Sequence, residues 1–398
     1  MIDYSTLMSR RVQEVKPSGI RKFFDIAEQM DDVISLGVGD PDFKTPWLIR
    51  HKGIETLERG MTRYSANAGL MSLREEIARY MQRKYHLSYE AKDEVIVTVG
   101  GSEAIDLCIR VFVEPGDEVL VVEPSFVAYS PIVTVTGGTP VPIPTKAENA
   151  FRLTADELRE KITSKTKLLV LPFPNNPTGG VMRREHLEEI AEVLRDTNII
   201  VLSDEIYAEL TYGGEPHVSI AEIDGMRERT VVINGFSKSF SMTGWRLGYA
   251  CGPREIIKQM TKLHQFAIMC APTTSQYAAI EALKNCDDSV REMRDDYNAR
   301  RRLVIDGFTS IGLPCFEPEG AFYIFPSIQS TGLTSDEFCE RLLYSKKVAV
   351  VPGNAFGESG EGFIRVSYSY SKKHLLEAIE RIGEFMEELA KEREACLK

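Results

Sequence analysis

Cysteine is sparse in this chain and carries no pattern. Its seven residues, Cys108, Cys251, Cys270, Cys286, Cys315, Cys339 and Cys396, form no Cys-x-x-Cys pair, and their number is odd. Neither a zinc site nor a disulfide framework is signalled, and a reducing cytoplasmic setting fits best. The six histidines are scattered without metal-ligand spacing, so no metal centre is expected. Positive charge is in deficit: the net charge is -11. That argues against a general nucleic-acid surface and against an acidic membrane, while leaving room for local basic pockets that take small anions. No apolar run is long enough for a membrane span, and residues 1–11 lack the apolar core of a signal peptide. Internal repeats and low-complexity segments are also missing.

What is present is ordinary for a folded protein, with 43% hydrophobic and 27% charged residues. A chain of 398 residues is too long for one ordinary core, so two domains are expected. Residues 1–45 read as an arm with a helix over 20–30, a short strand at 33–36 and a Gly/Pro-rich loop at 37–43. A regular alternation follows. Helices are predicted over 73–85, 103–113, 154–162 and 184–194. Strands are predicted over 94–99, 118–122, 139–143, 167–171, 198–202 and 230–233. Short apolar strands alternating with helices indicate an α/β fold, with a mostly parallel sheet covered on both faces. Beyond Gly252 long helices take over, at 255–266, 274–284 and 290–311. Mixed elements return in strands at 321–325, 348–351 and 362–367 and helices at 335–344 and 372–395. The expected division is a large domain over 46–285, with the arm 1–45 and the C-terminal part 286–398 forming a smaller α/β domain.

Ligands of open parallel sheets bind beyond the carboxyl ends of strands. Four such ends carry chemistry. After the 94–99 strand comes Gly100-Gly101-Ser102-Glu103, opening a helix. Glycines let backbone approach an anion and the helix start offers free N–H groups to it, while Glu103 can equally just cap the helix. After 167–171 comes Pro172-Phe173-Pro174-Asn175-Asn176-Pro177-Thr178-Gly179-Gly180, a turn that also fixes the direction of an amide. After 198–202 comes Ser203-Asp204-Glu205-Ile206-Tyr207. An aspartate at a buried strand end needs a cationic or proton-bearing partner, unless it is a helix N-cap beside a core tyrosine. The fourth is Phe236-Ser237-Lys238-Ser239, with Gly244-Trp245-Arg246 beyond, lying between apolar runs that read as strand, turn, strand. Burial and a neighbouring cation would lower the pKa of Lys238 and make it a nucleophile; the plain alternative is an exposed turn lysine.

Together these ends supply a reactive lysine, a buried carboxylate, a phenol, a fixed amide and phosphate donors. Pyridoxal phosphate needs such a set: a lysine for its aldehyde, a carboxylate for its ring nitrogen, donors for its hydroxyl, and a helix end with an arginine for its phosphate.

The chain resembles the class I/II aminotransferases of fold-type I over essentially its full length. The resemblance rests on Gly39-Asp40-Pro41-Asp42-Phe43, Tyr64 with Gly69-Leu70, Gly101-Ser102, Asn175-Asn176-Pro177-Thr178-Gly179, Ser203-Asp204-Glu205-Ile206-Tyr207, Ser237-Lys238 with Gly244-Trp245-Arg246, and Arg365. It implies a large domain with a seven-stranded, mostly parallel sheet and a homodimer with shared active sites. It implies that Lys238 carries pyridoxal phosphate as an aldimine and moves the proton between the substrate Cα and the cofactor C4′. Asp204 would pair with the ring nitrogen, Tyr207 and Asn176 would bond the ring hydroxyl, and Phe126 would stack on the ring. Gly101, Ser102, Ser237 and Arg246 would hold the phosphate, joined by Tyr64 from the neighbouring subunit. Arg365 would grip the substrate α-carboxylate, with the Gly39 backbone touching the same substrate. From the sequence itself, Arg365 ranks no higher than an edge-strand arginine.

The reaction so implied is ping-pong, from an L-amino acid to a 2-oxo acid such as 2-oxoglutarate. Some relatives that use aspartate or prephenate have lysine where this chain has Ser102. Other motifs, among them Ser18-Gly19-Ile20-Arg21-Lys22-Phe23 and Gly320-Ala321-Phe322-Tyr323-Ile324-Phe325-Pro326, resemble the aromatic or N-acetyl-diaminopimelate branch. Ile20, Phe126 and Tyr129 are candidates for an apolar substrate pocket. An aromatic or N-acetyl-diaminopimelate donor is therefore expected over aspartate. Two alternatives remain: a carbon–sulfur lyase of the same fold acting on cystathionine, and a non-enzymatic regulator that senses the cofactor. The acidic charge counts against the regulator.

Overall fold

The structure is a computed structural model and describes residues 2–17, 19, 26 and 30–396. Its strands, in chain order, are Ile34–Ser35 (β1), Val95–Thr98 (β2), Glu118–Glu123 (β3), Thr139–Pro144 (β4), Thr166–Leu171 (β5), Ile200–Asp204 (β6), Thr230–Gly235 (β7), Gly248–Cys251 (β8), Tyr323–Ile324 (β9), Val348–Ala349 (β10), Val351–Pro352 (β11) and Ile364–Ser367 (β12). Seven of them make one sheet in the order β2-β8-β7-β6-β5-β3-β4. All of its pairs are parallel except those of β8, which is antiparallel to both neighbours. The exception follows from the short connection: β8 comes straight back from β7 through a turn, and that turn contains Lys238.

Alternate residues of the strands serve opposite faces, as the two-residue period requires. Val119, Val121, Leu168, Val231 and Ile233 pack under the helices Gly100–Phe112 and Arg254–Ala267. Leu120, Val122, Leu169 and Val201 pack under Ala155–Lys161 and Arg184–Leu194 on the other face. Further along, Val95, Val97, Val232 and Tyr249 meet Met71–Tyr85 and Thr273–Asn285. Burial on both faces explains why the central strands read as unbroken apolar runs.

A fourth core gathers Leu36 with β9, β10, β12 and the helices Ser335–Lys346 and Lys372–Cys396. The helix Asp287–Ser310 joins two cores: Val290 packs with Ala279 and Leu283, while Met293 through Phe308 belong with Phe322 and Ile364. Two small sheets complete this part, β1 parallel to β10, and β11-β12-β9.

Several details differ from the sequence expectations. The single strand at 348–351 is two strands in two different sheets. Besides the short helix Arg10–Glu14 in the arm, two unexpected helices appear, Trp47–Glu58 and Tyr129–Thr136. The first shows apolar residues on both sides, with Ile49 buried and Trp47, Leu48, Ile54 and Leu57 exposed, so no single stripe marks it. The second is rich in β-branched residues, which are weak helix formers, and holds a proline that its first turn tolerates. The expected helix over 20–30 lies outside the described residues, as does Ile20.

Candidate active site

Lys238 stands on the turn between β7 and β8, anchored by Phe236 and Phe240, both buried. Its Nζ donates to the Gly39 carbonyl at 2.6 Å and lies 5.7 Å from the Phe322 ring. Burial pushes its pKa down to about 8; Asp40 opposes the shift, and the charges of Arg365 and Arg246 add to it. The plain reading of an exposed turn lysine is thereby excluded.

The helix Gly100–Phe112 starts three residues earlier than the sequence suggested, so Gly100, Gly101 and Ser102 form its first turn. N–H groups in a first turn have no partner within the helix. Gly100 sits at φ +78°, and a Cβ there would lie 2.7 Å from Nη2 of Arg246. A side chain on Gly248 would come within 2.6 Å of the Gly100 and Gly101 backbone. Two glycines therefore let β8 and the Arg246 guanidinium close on the helix start. Glu103 is occupied in holding this turn: it accepts from the Val99 N–H at 2.5 Å and pairs with buried His264 at 2.8 Å.

Asp204 is the last residue of β6 and is buried. Its carboxylate accepts from the Tyr129 hydroxyl at 2.7 Å and from the Ile206 N–H at 3.2 Å. Burial pushes its pKa up to about 6 despite both bonds. Among the described residues no cation pairs with it. The Tyr207 hydroxyl bonds that of Tyr323 at 2.8 Å.

Arg365 is in β12, the middle strand of its three-stranded sheet, rather than on an edge. It is buried between the rings of Tyr323 at 4.6 Å and Phe356 at 4.7 Å. Nη1 donates to Asn176 Oδ1 at 2.8 Å, Nη2 donates to the Gly37 carbonyl, and Nε has no partner. No carboxylate among the described residues pairs with this buried guanidinium. A buried cation without an anion is costly, so the site is built to receive one.

These groups surround one cleft of about 440 Å³. Gly39, Gly101, Ser102, Phe126, Asn176, Asp204, Tyr207, Ser237, Lys238, Arg246 and Arg365 all line it. Tyr64 does not: it is 82% exposed on the outer surface. The cleft also contains residues that had no expected role in holding the cofactor. Tyr129 holds Asp204, and its position three residues after Phe126 was a signal; Tyr323 joins Tyr207 to Arg365, and only its place in the aromatic run 322–325 hinted at it.

An aldehyde-bearing aromatic phosphate suits this donor set. A depressed lysine faces the cleft, a buried carboxylate without a cation awaits a protonated nitrogen, and a helix start with an arginine awaits a phosphate. The fold and cleft are those of a pyridoxal-phosphate enzyme. The family model for aminotransferase class I and II matches residues 31–382, and the chain belongs to that family. It is 53% identical over 382 residues to YugH of Bacillus subtilis (strain 168), with 96% of this chain and 99% of that protein covered. It is 47% identical over 383 residues to an aspartate aminotransferase of Pyrococcus abyssi, covering 96% and 98%. An aromatic aminotransferase from Pyrococcus horikoshii OT3 superposes with a TM-score of 0.88 at 45% identity, covering 94% of this chain and 99% of that one. The chain is thus a pyridoxal-phosphate-dependent aminotransferase acting on amino and oxo acids.

Proposed function

We propose that this aminotransferase takes its amino group from an aromatic L-amino acid and passes it to 2-oxoglutarate in a ping-pong cycle, as a homodimer in the cytoplasm. The observation that carries the donor assignment is the supply of cations. Lys238, Arg246 and Arg365 are the only lysines and arginines of this chain among the described residues lining the cleft. All three have tasks, and the remaining lining includes Val38, Ile105, Phe126, Ile206 and Tyr323. The second carboxylate of aspartate would be desolvated there without a partner, whereas an aromatic ring would not. An N-acetyl-diaminopimelate donor remains the next choice. 2-Oxoglutarate also has a distal carboxylate, one methylene further from its α-carboxylate than that of the oxo acid of aspartate.

When bound, the cofactor supplies an aldehyde that accepts the amino group and a ring that withdraws electrons from the substrate Cα. The side chains do the rest. Gly101 and Ser102 N–H groups, with Ser102, Ser237 and Arg246, hold the phosphate. Asp204, kept in place by Tyr129, holds a proton on the ring nitrogen. Tyr207 and Asn176 orient the ring hydroxyl, and Phe126 covers the ring face. Lys238 carries a proton between the substrate Cα and C4′, a task suited to a base with a pKa near 8. Arg365 binds the α-carboxylate beside the Gly39 backbone. Tyr64 reaches the phosphate in the neighbouring subunit.

Residues 30–45 and 286–398 act as one unit and 46–285 as the other, with Lys238 and Gly39 meeting across the boundary. The helix Arg10–Glu14, expected in the smaller unit, instead packs on Tyr129–Thr136, where Arg11 donates to the Thr136 carbonyl. The free cysteines, four of them buried, suit a reducing compartment.

The test is steady-state kcat/KM with 2-oxoglutarate as acceptor. Phenylalanine or tyrosine should exceed aspartate by at least about tenfold, the scale of one unpaired buried polar group. A preference for aspartate by orders of magnitude would overturn the donor assignment.

A further inference from the structure

Lys238 and Arg365, two cations of the cleft, share a support. Lys238 donates to the Gly39 carbonyl, and Arg365 donates to the Gly37 carbonyl. Both acceptors belong to the loop 37–43, which has no helix or strand of its own. Something outside the loop must fix it. Behind it, Arg300 of the helix Asp287–Ser310 is buried between the rings of Phe43 at 5.1 Å and Tyr297 at 5.4 Å. Its Nη1 donates to Asp42 at 2.8 Å and to the Tyr370 carbonyl at 2.7 Å, while Nη2 pairs with Asp296 at 2.6 Å. Tyr370 lies just past β12, the strand of Arg365, and its hydroxyl accepts from the Val38 N–H at 3.3 Å. One guanidinium therefore joins the loop, the long helix and the strand that presents Arg365.

We propose that Arg300 is a positioning residue for transamination. By clamping Asp42 it sets where Gly37 and Gly39 present their carbonyls, and through them the aim of Arg365 at the α-carboxylate and the rest position of Lys238. Only a planar fork with several donors makes these three contacts at once. The inference rests on the reading above that Arg365 binds the α-carboxylate. Amino and oxo acid share that carboxylate, so loss of the clamp should weaken both alike.

The experiment uses the holoenzyme and the variants Arg300→Met, Arg300→Lys, Asp42→Asn and Asp296→Asn, with Arg365→Lys alongside. Two quantities are read: KM for amino and oxo acid, and the Kd of 3-phenylpropionate, a carboxylate that cannot react. Arg300→Met and Asp42→Asn should raise both KM values and the Kd by similar factors, roughly tenfold, as expected for a weakened charge-assisted contact. kcat should fall less. Arg300→Lys should be intermediate, and Asp296→Asn, which leaves the loop clamped, near wild type. Asp42→Asn is nearly isosteric and carries the test should Arg300→Met fail to fold. Unchanged KM and Kd in folded Asp42→Asn, or equal effects from Asp296→Asn, would overturn the proposal. If Arg365→Lys alone leaves the Kd unchanged, the carboxylate reading fails and the proposal falls with it. If Arg365→Lys weakens binding and Asp42→Asn does not, only the clamp is wrong.

Discussion

Asp204 and Lys238 are both pushed by burial towards their neutral forms, yet the cofactor needs them in different states. Asp204 has a pKa near 6 in the cofactor-free protein, against 3.8 for an ordinary aspartate. A raised carboxyl pKa contributes stability that is present below about pH 4 and lost as pH rises through 6. Above pH 6 the cofactor-free protein therefore bears the cost of a buried charge, on the order of 3 kcal/mol. Asp204→Asn should relieve it while keeping an acceptor for Tyr129. Its cofactor-free melting temperature should exceed wild type by a margin that grows from pH 4 to 6 and then levels off. The same change should lower kcat on the order of 10³-fold, because nothing then holds the ring nitrogen protonated. A substitution that leaves both stability and turnover unchanged would contradict this role. For Lys238 the sign is opposite, since the free amine prevails above about pH 8. Uptake of pyridoxal phosphate by the cofactor-free protein should accelerate as pH passes from 7 to 9, and stopped-flow absorbance would show it. Lys238, Asp204 and Tyr207 were readable because each stands at a strand end. Arg365 was not, because its partners Gly37 and Asn176 are far away in sequence and nothing local distinguishes a central strand from an edge.

The phosphate seat depends on the fit of β8 against the start of the helix Gly100–Phe112. Gly248→Ala would place a methyl group 2.6 Å from that backbone. Overpacking of this kind costs about 1–3 kcal/mol. It should lower the melting temperature and speed cofactor loss on dialysis; retention equal to wild type would show that the seat tolerates movement. Regular alternation made most of the large sheet legible, and the helix expected over 154–162 is Ala155–Lys161, headed by a Thr154–Glu157 capping box. Elements decided by tertiary packing were less so. Residues 348–351 read as one apolar, valine-rich run, and only the positions of β1 and β12 divide it. Trp47–Glu58 exposes Trp47, Leu48, Ile54 and Leu57 beside the polar His51, Lys52, Glu55 and Glu58, so its apolar residues do not mark its buried face.

That last feature matters for the whole molecule. Trp47, Leu48, Ile54 and Leu57 on one helix are large, apolar and exposed, and so are Tyr64, Phe266, Ile268 and Met269. Apolar exposure of this kind is what the proposed homodimer would cover. On the proposed homodimer, Ile54→Arg should shift sedimentation from dimer to monomer without unfolding the chain, and activity should fall with it if Tyr64 completes the neighbour's site. A fully active monomer would contradict shared sites. The number of cores was only partly legible: two domains were expected from length, whereas four clusters form among the described residues, and Asp287–Ser310 threads between two of them.

The most direct test is the visible spectrum of the purified holoenzyme during addition of single L-amino acids. Phenylalanine should bleach the long-wavelength band, and 2-oxoglutarate should restore it without release of pyruvate or ammonia. A band indifferent to amino acids until cystathionine is added, with pyruvate then released, would make the protein a lyase and contradict amino transfer through Lys238.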